Sequence, residues 1–284
     1  MPAFFDTKAV IGVLNATPDS FSDGGRFVRG TSELDLSAAI DIAAGLVRDG
    51  ADLIDVGGES TRPGAREVSI DLECTRTAPL IEAMAKRFPT PLSIDTRKAP
   101  VAEAAMAAGA RIVNDVSGLR FDPTLAKVAA EAGATVIVGH ARGTPETMQD
   151  APHYDSVIEE VAAELRASLA VAREASIDAD HLVIDPGIGF GKRAVDNHVL
   201  LTRIASLRAA VGGDFPIVVG PSRKAFLGKL TGDDAAERDT ATVAACAIAF
   251  YEGADAVRVH DVAGAVRARA IGTALRAARG EGAL

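Results

Sequence analysis

Gly50-Ala51-Asp52-Leu53-Ile54-Asp55-Val56-Gly57-Gly58-Glu59-Ser60-Thr61-Arg62-Pro63-Gly64 holds one full turn of the chain's internal rhythm. An Ala-rich segment of helical period runs into Gly50, and glycine tolerates the left-handed backbone that ends a helix. A short aliphatic run follows over 53–56, and it empties into small, polar and charged residues from Gly57 onward. Gly109-Ala110, Gly133-Ala134 and Gly253-Ala254-Asp255 punctuate the chain in the same way.

Working outward from that stretch, short runs rich in β-branched residues predict strands over 10–14, 53–56, 92–94, 112–114, 135–138, 182–184, 217–219 and 256–259. Helical periods between them cover 34–47, 72–86, 99–108, 123–132, 157–175, 195–210, 240–251 and 264–278. Strict alternation of strand and helix implies a parallel sheet, and continuously apolar strands suit burial on both faces. Eight such units fit the roughly 250 residues of a closed barrel. The expected fold is therefore α/β, a (β/α)8 TIM barrel. An open doubly wound sheet would carry fewer strands and a Gly-rich first turn, which is absent. No linker or low-complexity stretch divides the chain, so one domain is expected over 1–284.

Composition bounds the partners. Of 284 residues, 48% are hydrophobic and 24% charged, the balance of a globular domain that needs no disulfide or structural metal. A net charge of −9 argues against nucleic acid and anionic membrane surfaces, both of which want a basic face. No secretory signal is read at the N-terminus, and the most apolar window, 241–250, falls short of the ~20 residues of a membrane span. Cys74 and Cys246 lie far apart inside helical patterns, as core thiols do. The expected compartment is the cytoplasm.

In a (β/α)8 barrel the active site is built from the loops at the C-terminal ends of the strands. Those ends read Asn15 to Gly25, Gly57 to Gly64, Asp95-Thr96-Arg97, Asn114-Asp115, His140-Ala141-Arg142-Gly143, Asp185 to Lys192, Ser222-Arg223-Lys224 and Arg258-Val259-His260-Asp261. The opposite loops are mostly Gly, Ala and surface residues, so a ligand site is expected at one mouth. Taken singly the pieces are ordinary. Asp95 suits a helix N-cap, Asp185-Pro186-Gly187 suits a turn, and Arg97 and Lys192 read as solvated charges. His153, His181 and His198 receive no role. Their shared end of one barrel is what argues for chemistry.

Charge divides the ring of strand ends into two groups. Asp95, Asn114 and Asp185 are expected to project to the barrel centre. Two carboxylates and an amide match the alternating donors and acceptors of a 2-amino-4-oxo-pyrimidine, and Lys224 can donate to its carbonyl or ring nitrogen. Arg258, His260, Arg62 and Asn15 form the second group. Arginine and histidine suit phosphate oxygens, and Asn15 offers an uncharged oxygen to a phosphate-bridged Mg²⁺.

The segments 15–25, 58–64, 185–192 and 222–224, in this order and spacing, resemble the signature segments of the dihydropteroate synthase family of pterin-binding barrels. The likeness runs from about Val10 to Asp261. It implies a transferase of folate synthesis, in which 6-hydroxymethyl-7,8-dihydropterin pyrophosphate loses pyrophosphate and the amine of p-aminobenzoate attacks the freed methylene. It implies Asp95, Asn114, Asp185 and Lys224 as pterin ligands, and Asn15, Arg62, Arg258 and His260 around pyrophosphate and Mg²⁺. Thr61, Pro63, Phe190 and Ser222, with Lys224, fall on the p-aminobenzoate side. Asp95, Lys224, Arg62 and Asp23 carry the catalytic parts, Asp23 and Arg62 by ordering two loops that close over the substrates. A homodimer and membership of a family that is a sulfonamide target are further implications. Two departures stand out: Gly139-His140-Ala141-Arg142-Gly143 replaces a Met-rich stretch, and Pro221 precedes Ser222. Other readings remain open at this point. They are a methyltransferase barrel sharing the pterin grip, a non-catalytic pterin-binding paralogue, and a Schiff-base aldolase on Lys224, for which no apolar setting is evident in the sequence.

Overall fold

The computed structural model describes residues 7–17, 28–29, 33–61 and 64–281, with backbone alone at 28–29, 33–34 and 280–281. Asp23, Arg62 and Pro63 lie outside the described residues. The elements follow as β1 (Ala9–Asn15), β2 (Val28–Arg29), β3 (Glu33–Leu34), α1 (Leu36–Arg48), β4 (Leu53–Gly57), α2 (Ile70–Arg87), β5 (Leu92–Asp95), α3 (Ala99–Ala107), β6 (Ile112–Asp115) and α4 (Leu125–Glu131). The second half holds β7 (Thr135–Val138), α5 (Val157–Glu174), β8 (Leu182–Ile184), α6 (Ala194–Thr202), α7 (Ile204–Val211), β9 (Val218–Val219), α8 (Ala225–Thr231), α9 (Asp239–Glu252), β10 (Ala256–Val259) and α10 (Val262–Glu281).

Eight parallel strands form one sheet in the order β8-β7-β6-β5-β4-β1-β10-β9, and a single parallel bridge from Ile184 to Ile217 closes it into a barrel. The short β2 and β3 pair with each other, antiparallel and apart from this sheet. The expected (β/α)8 TIM barrel is the observed fold. Side chains alternate along each strand, so one set fills the barrel and the other faces the helices. Ala9, Ile11, Leu53, Ile112, Ile137, Val183, Val218 and Ala256 make the interior plug. Their neighbours of opposite parity, among them Val10, Ile54, Ile94, Val113, Val136 and Val257, pack in the outer core against the helices.

Strand register sets the height of the site. Asn15 pairs with Gly57, Gly57 with Asp95, and Asp95 with Asn114. Four strand ends are thus level, above the apolar plug. At the opposite end two carboxylates clip strands to helices. Asp52 accepts from Val10 N–H at 2.8 Å and Arg269 at 2.6 Å, and Asp255 accepts from Lys8 at 2.7 Å, Arg208 at 2.6 Å and Ile217 N–H at 2.8 Å.

Three local differences from the sequence pattern have visible causes. The helix expected over 34–47 starts at Leu36, because the Asp35 carboxylate caps it by accepting from Ala38 N–H at 3.0 Å. The helix expected over 195–210 breaks at Arg203, whose backbone (φ −128°, ψ 37°) leaves the helical region. Just before the break the Thr202 hydroxyl donates to the His198 carbonyl at 2.8 Å, a side-chain bond of the kind that bends helices. The seven-residue α8, with a glycine in it, is too short for periodicity to show.

Candidate active site

The inward-facing layer above the plug is polar. On β4 the inward phase passes from Leu53 to Asp55, a carboxylate with no exposed surface. Asp55 Oδ2 accepts from Arg258 Nε at 2.6 Å and from Asn114 Nδ2 at 2.9 Å, while its Oδ1 has no hydrogen-bond partner among the described residues. Arg258, on β10, also reaches Asp95 Oδ2 at 2.7 Å through its second nitrogen. One guanidinium therefore joins two carboxylates from different strands. Burial pushes the Asp95 carboxyl up to about 7; Arg258 pulls it down and Asp55 pushes it up again.

Asp185 follows β8 and accepts from Gly187 N–H at 2.7 Å, the bond that shapes its own turn. Burial raises its pKa while Lys224 opposes. Lys224, following β9, donates to the Ile188 carbonyl and stands 4.2 Å from the centre of the Phe190 ring. Desolvation pushes its ammonium down to about 8, against the pull of Asp185. The sequence alone offered no apolar setting for Lys224; the fold supplies one by laying Phe190 against it. On the other side of the mouth, His260 Nδ1 lies 2.9 Å from Ser222 Oγ, and its Nε2 lies 3.5 Å from Asn15 Nδ2. The Ser222 hydroxyl also accepts from His260 N–H at 3.2 Å.

Asn15, Asp95, Phe190, Lys224, Arg258 and His260 line one cavity of about 560 Å³ at the C-terminal mouth. Thr61 and Ser222 line it as well. A second chamber of about 510 Å³ adjoins it across Thr61, Met148 and Phe190. Asn114 and Asp185 stand at the same level, Asn114 through its bond to Asp55. Of the expected site residues, the structure brings Asn15, Asn114, Asp95, Asp185, Phe190, Ser222, Thr61, Lys224, Arg258 and His260 to this mouth; Asp23, Arg62 and Pro63 are the three not described. The two charge groups expected from sequence are not separate, because Arg258 is bonded to the carboxylate group.

Arg97 and Lys192, expected in solvent, are both held inside. Arg97 sits 2.9 Å from Glu59 with its guanidinium 3.9 Å from the centre of the Phe121 ring. Glu59 accepts in addition from Lys98 at 2.5 Å and Val68 N–H at 3.0 Å, which anchors the root of the loop that carries Ser60 and Thr61. Lys192 is only 3% exposed. Sequence reasoning also passed over Asp55. The available signal was its phase: it falls two residues after Leu53 and two before Gly57, a lone charge on the inward side of an apolar strand. Gly139, one of the departures noted in the sequence, is held close to backbone, since a Cβ there would lie 2.7 Å from Asp115 O and from Val116 Cα.

No group of three or more His, Cys, Asp or Glu able to hold a metal is present among the described residues. An Mg²⁺ carried by phosphate keeps most of its waters and would need few protein ligands. Asn15 fits such a role: its amide nitrogen turns to His260, which leaves Oδ1 as the uncharged oxygen at the mouth. No helix among the described residues is long and apolar enough to cross a membrane.

Comparison with known proteins agrees with this geometry. Residues 11–260 match the family described as pterin binding enzyme. A dihydropteroate synthase of Synechocystis sp. is 45% identical over 254 residues, covering 89% of this chain and 85% of that protein. The Yersinia pestis dihydropteroate synthase, solved with a sulfonamide drug complex, superposes with a TM-score of 0.89 at 39% identity, covering 96% of each chain. The Burkholderia cenocepacia dihydropteroate synthase complexed with 7,8-dihydropteroate superposes with a TM-score of 0.84 at 39% identity, covering 98% of this chain and 94% of that one. The chain belongs to the pterin-binding enzyme family, among its dihydropteroate synthases.

Proposed function

We propose that the polar layer above the barrel plug is where 6-hydroxymethyl-7,8-dihydropterin pyrophosphate and p-aminobenzoate are joined to give 7,8-dihydropteroate and pyrophosphate. The observation that carries this is the clustering of three inward carboxylates (Asp55, Asp95, Asp185), one amide (Asn114) and two cations (Arg258, Lys224) at one mouth. Asp95, Asn114 and Asp185 take the donor–acceptor edge of the pterin, and Lys224 donates to its carbonyl or ring nitrogen. As the methylene C–O bond breaks, positive character spreads into the ring, and the Asp95 carboxylate stabilises it. The lone pair of the arylamine then forms the C–N bond, and the amine gives up a proton. An arylamine is nucleophilic without a strong base, so the transfer needs no strong general base beside Lys224.

Asn15, His260 and Arg258 form the pyrophosphate side, and Thr61, Phe190 and Ser222 the arylamine side; the resemblance adds Arg62 to the first and Pro63 to the second, both outside the described residues. Mg²⁺ bound with the pyrophosphate would neutralise the leaving group. The family resemblance assigns Asp23 and Arg62, both outside the described residues, to ordering two closing loops, and exclusion of water there would keep it from capturing the cation. The same arylamine side would receive sulfonamides, as p-aminobenzoate analogues. The cytoplasm is the proposed compartment. A homodimer is the proposed assembly, and the exposed Ile248, Ile271 and Leu275 of α9 and α10 offer an apolar face for it; sedimentation would read it.

Product formation from the two substrates, with and without Mg²⁺, tests the whole reading. Mg²⁺-dependent dihydropteroate formation is expected. Asp95→Asn is expected to lower kcat by two or more orders of magnitude, roughly the loss of one electrostatic stabiliser, at unchanged thermal stability. Near-normal turnover of that variant removes Asp95 from the mechanism.

A further inference from the structure

Five consecutive backbone carbonyls after β8 each accept a hydrogen bond from a side chain. Lys192 Nζ donates to Gly187 O at 2.9 Å and to Phe190 O at 3.0 Å. Lys224 Nζ takes Ile188 O, Gln149 Nε2 takes Gly189 O at 2.9 Å, and Tyr154 Oη takes Gly191 O at 3.0 Å. A turn so fully held has little freedom. Lys192 alone supplies two of the five bonds, and no step of the proposed reaction uses it.

Lys192 also faces the segment after β7. Its ammonium lies 2.9 Å from His140 Nδ1 and 3.3 Å from the His140 carbonyl. The two segments are pressed together: a Cβ on Gly187 would collide with His140 O, and one on Gly191 with Arg142 O. Lys192 pins that seam from beneath. Burial drives its pKa well below that of an ordinary lysine, and burial with the Lys192 charge brings His140 down to about 4. A neutral His140 that accepts at Nδ1 keeps its proton on Nε2, which lies 3.1 Å from Glu164 Oε2. Glu164 is in turn held 2.5 Å from Arg142. A buried ammonium is costly, and the acceptors in both segments offset only part of that cost.

We propose that Lys192 is a positioning residue for the transfer reaction, fixing the 187–191 turn so that the Phe190 ring and the Lys224 ammonium stand together as the wall against which p-aminobenzoate binds. This rests on the assignment of Phe190 and Lys224 to the arylamine side. Lys192 acts through the Gly187 and Phe190 carbonyls it holds.

The test is steady-state kinetics of Lys192→Met, a side chain of similar length without the charge, with each substrate varied in turn. The KM for p-aminobenzoate is expected to rise about tenfold or more, since misplacement by ~1 Å can cost up to a hundredfold. The KM for the pterin pyrophosphate should move less than about threefold and kcat less than the first KM. Equal rises in both KM values, or a loss confined to kcat, would overturn the proposal. If Lys192→Met does not fold, the double variant Gln149→Ala, Tyr154→Phe removes two other donors of the turn. A rise in the KM for p-aminobenzoate supports the clamp and no change overturns it. Phe190→Ala separates the two levels. If it leaves that KM unchanged, the arylamine assignment fails and the proposal with it. If it raises the KM while Lys192→Met does not, only the clamp fails.

Discussion

At the scale of single residues, the site is governed by one cation shared between two buried carboxylates. Arg258 holds Asp55 at 2.6 Å and Asp95 at 2.7 Å, with Asp185 and Lys224 completing the cluster. Asp95 must be ionised to accept the N–H groups of the pterin, and its pKa is raised to about 7, so kcat/KM in the free enzyme should climb with pH through that region. Lys224 must keep its proton to donate, and its pKa is lowered to about 8, so the rate should fall above that value. The expected profile is a narrow bell whose acid limb belongs to the coupled cluster as a whole. Asp55→Asn removes the negative neighbour that raises Asp95 and frees Arg258 to pair with Asp95 alone. Both effects point the same way, and the acid limb should move to lower pH. Lys224→Arg should carry the alkaline limb upward, out of the range of assay. A flat profile, or limbs unmoved by these changes, would remove both groups from the titration.

At the scale of elements, the close contacts between neighbouring strand ends leave little latitude. Gly139 lies against the backbone of Asp115 and Val116, so Gly139→Ala forces main chain apart rather than turning a side chain aside. A cost of about 1–3 kcal/mol is expected, read as a lowered midpoint in urea at unchanged slope. An unchanged midpoint would mean that the loop after β7 yields freely. The elements themselves were legible because the strands are compact aliphatic runs with a polar exit, many of them led in by a terminating glycine, as at Gly133, 135–138 and His140. Asp95, Asn114, Asp185 and His260 were legible for the same reason, since they stand at the exits. Asp55 was hidden inside an aliphatic run, where only the two-residue phase distinguishes it. Lys192 was hidden differently. A lysine after a Gly-rich turn reads as solvated, and only the folding of the 140–142 segment against that turn buries it. The break at Arg203 and the short α8 were likewise invisible, because each depends on fewer than three turns of helix.

At the scale of the whole molecule, neighbouring strands around the eight-stranded ring are each paired over two or more residues except at one place. Between β8 and β9 the ring is closed by the bridge from Ile184 to Ile217, beside the bond from Ile184 N–H to the Pro216 carbonyl at 2.9 Å. Asp185 and Lys224 emerge from the two sides of that gap and attract each other across it. A pterin gripped by both becomes an extra rung where the ladder of main-chain bonds is thinnest. Substrate binding should therefore slow hydrogen–deuterium exchange at 182–184 and 217–219 more than at 10–14 or 53–56. Uniform protection around the ring would show that the gap carries no special weakness. In this barrel the guest molecule is also a fastener: the hoop is drawn tight by what it is about to transform.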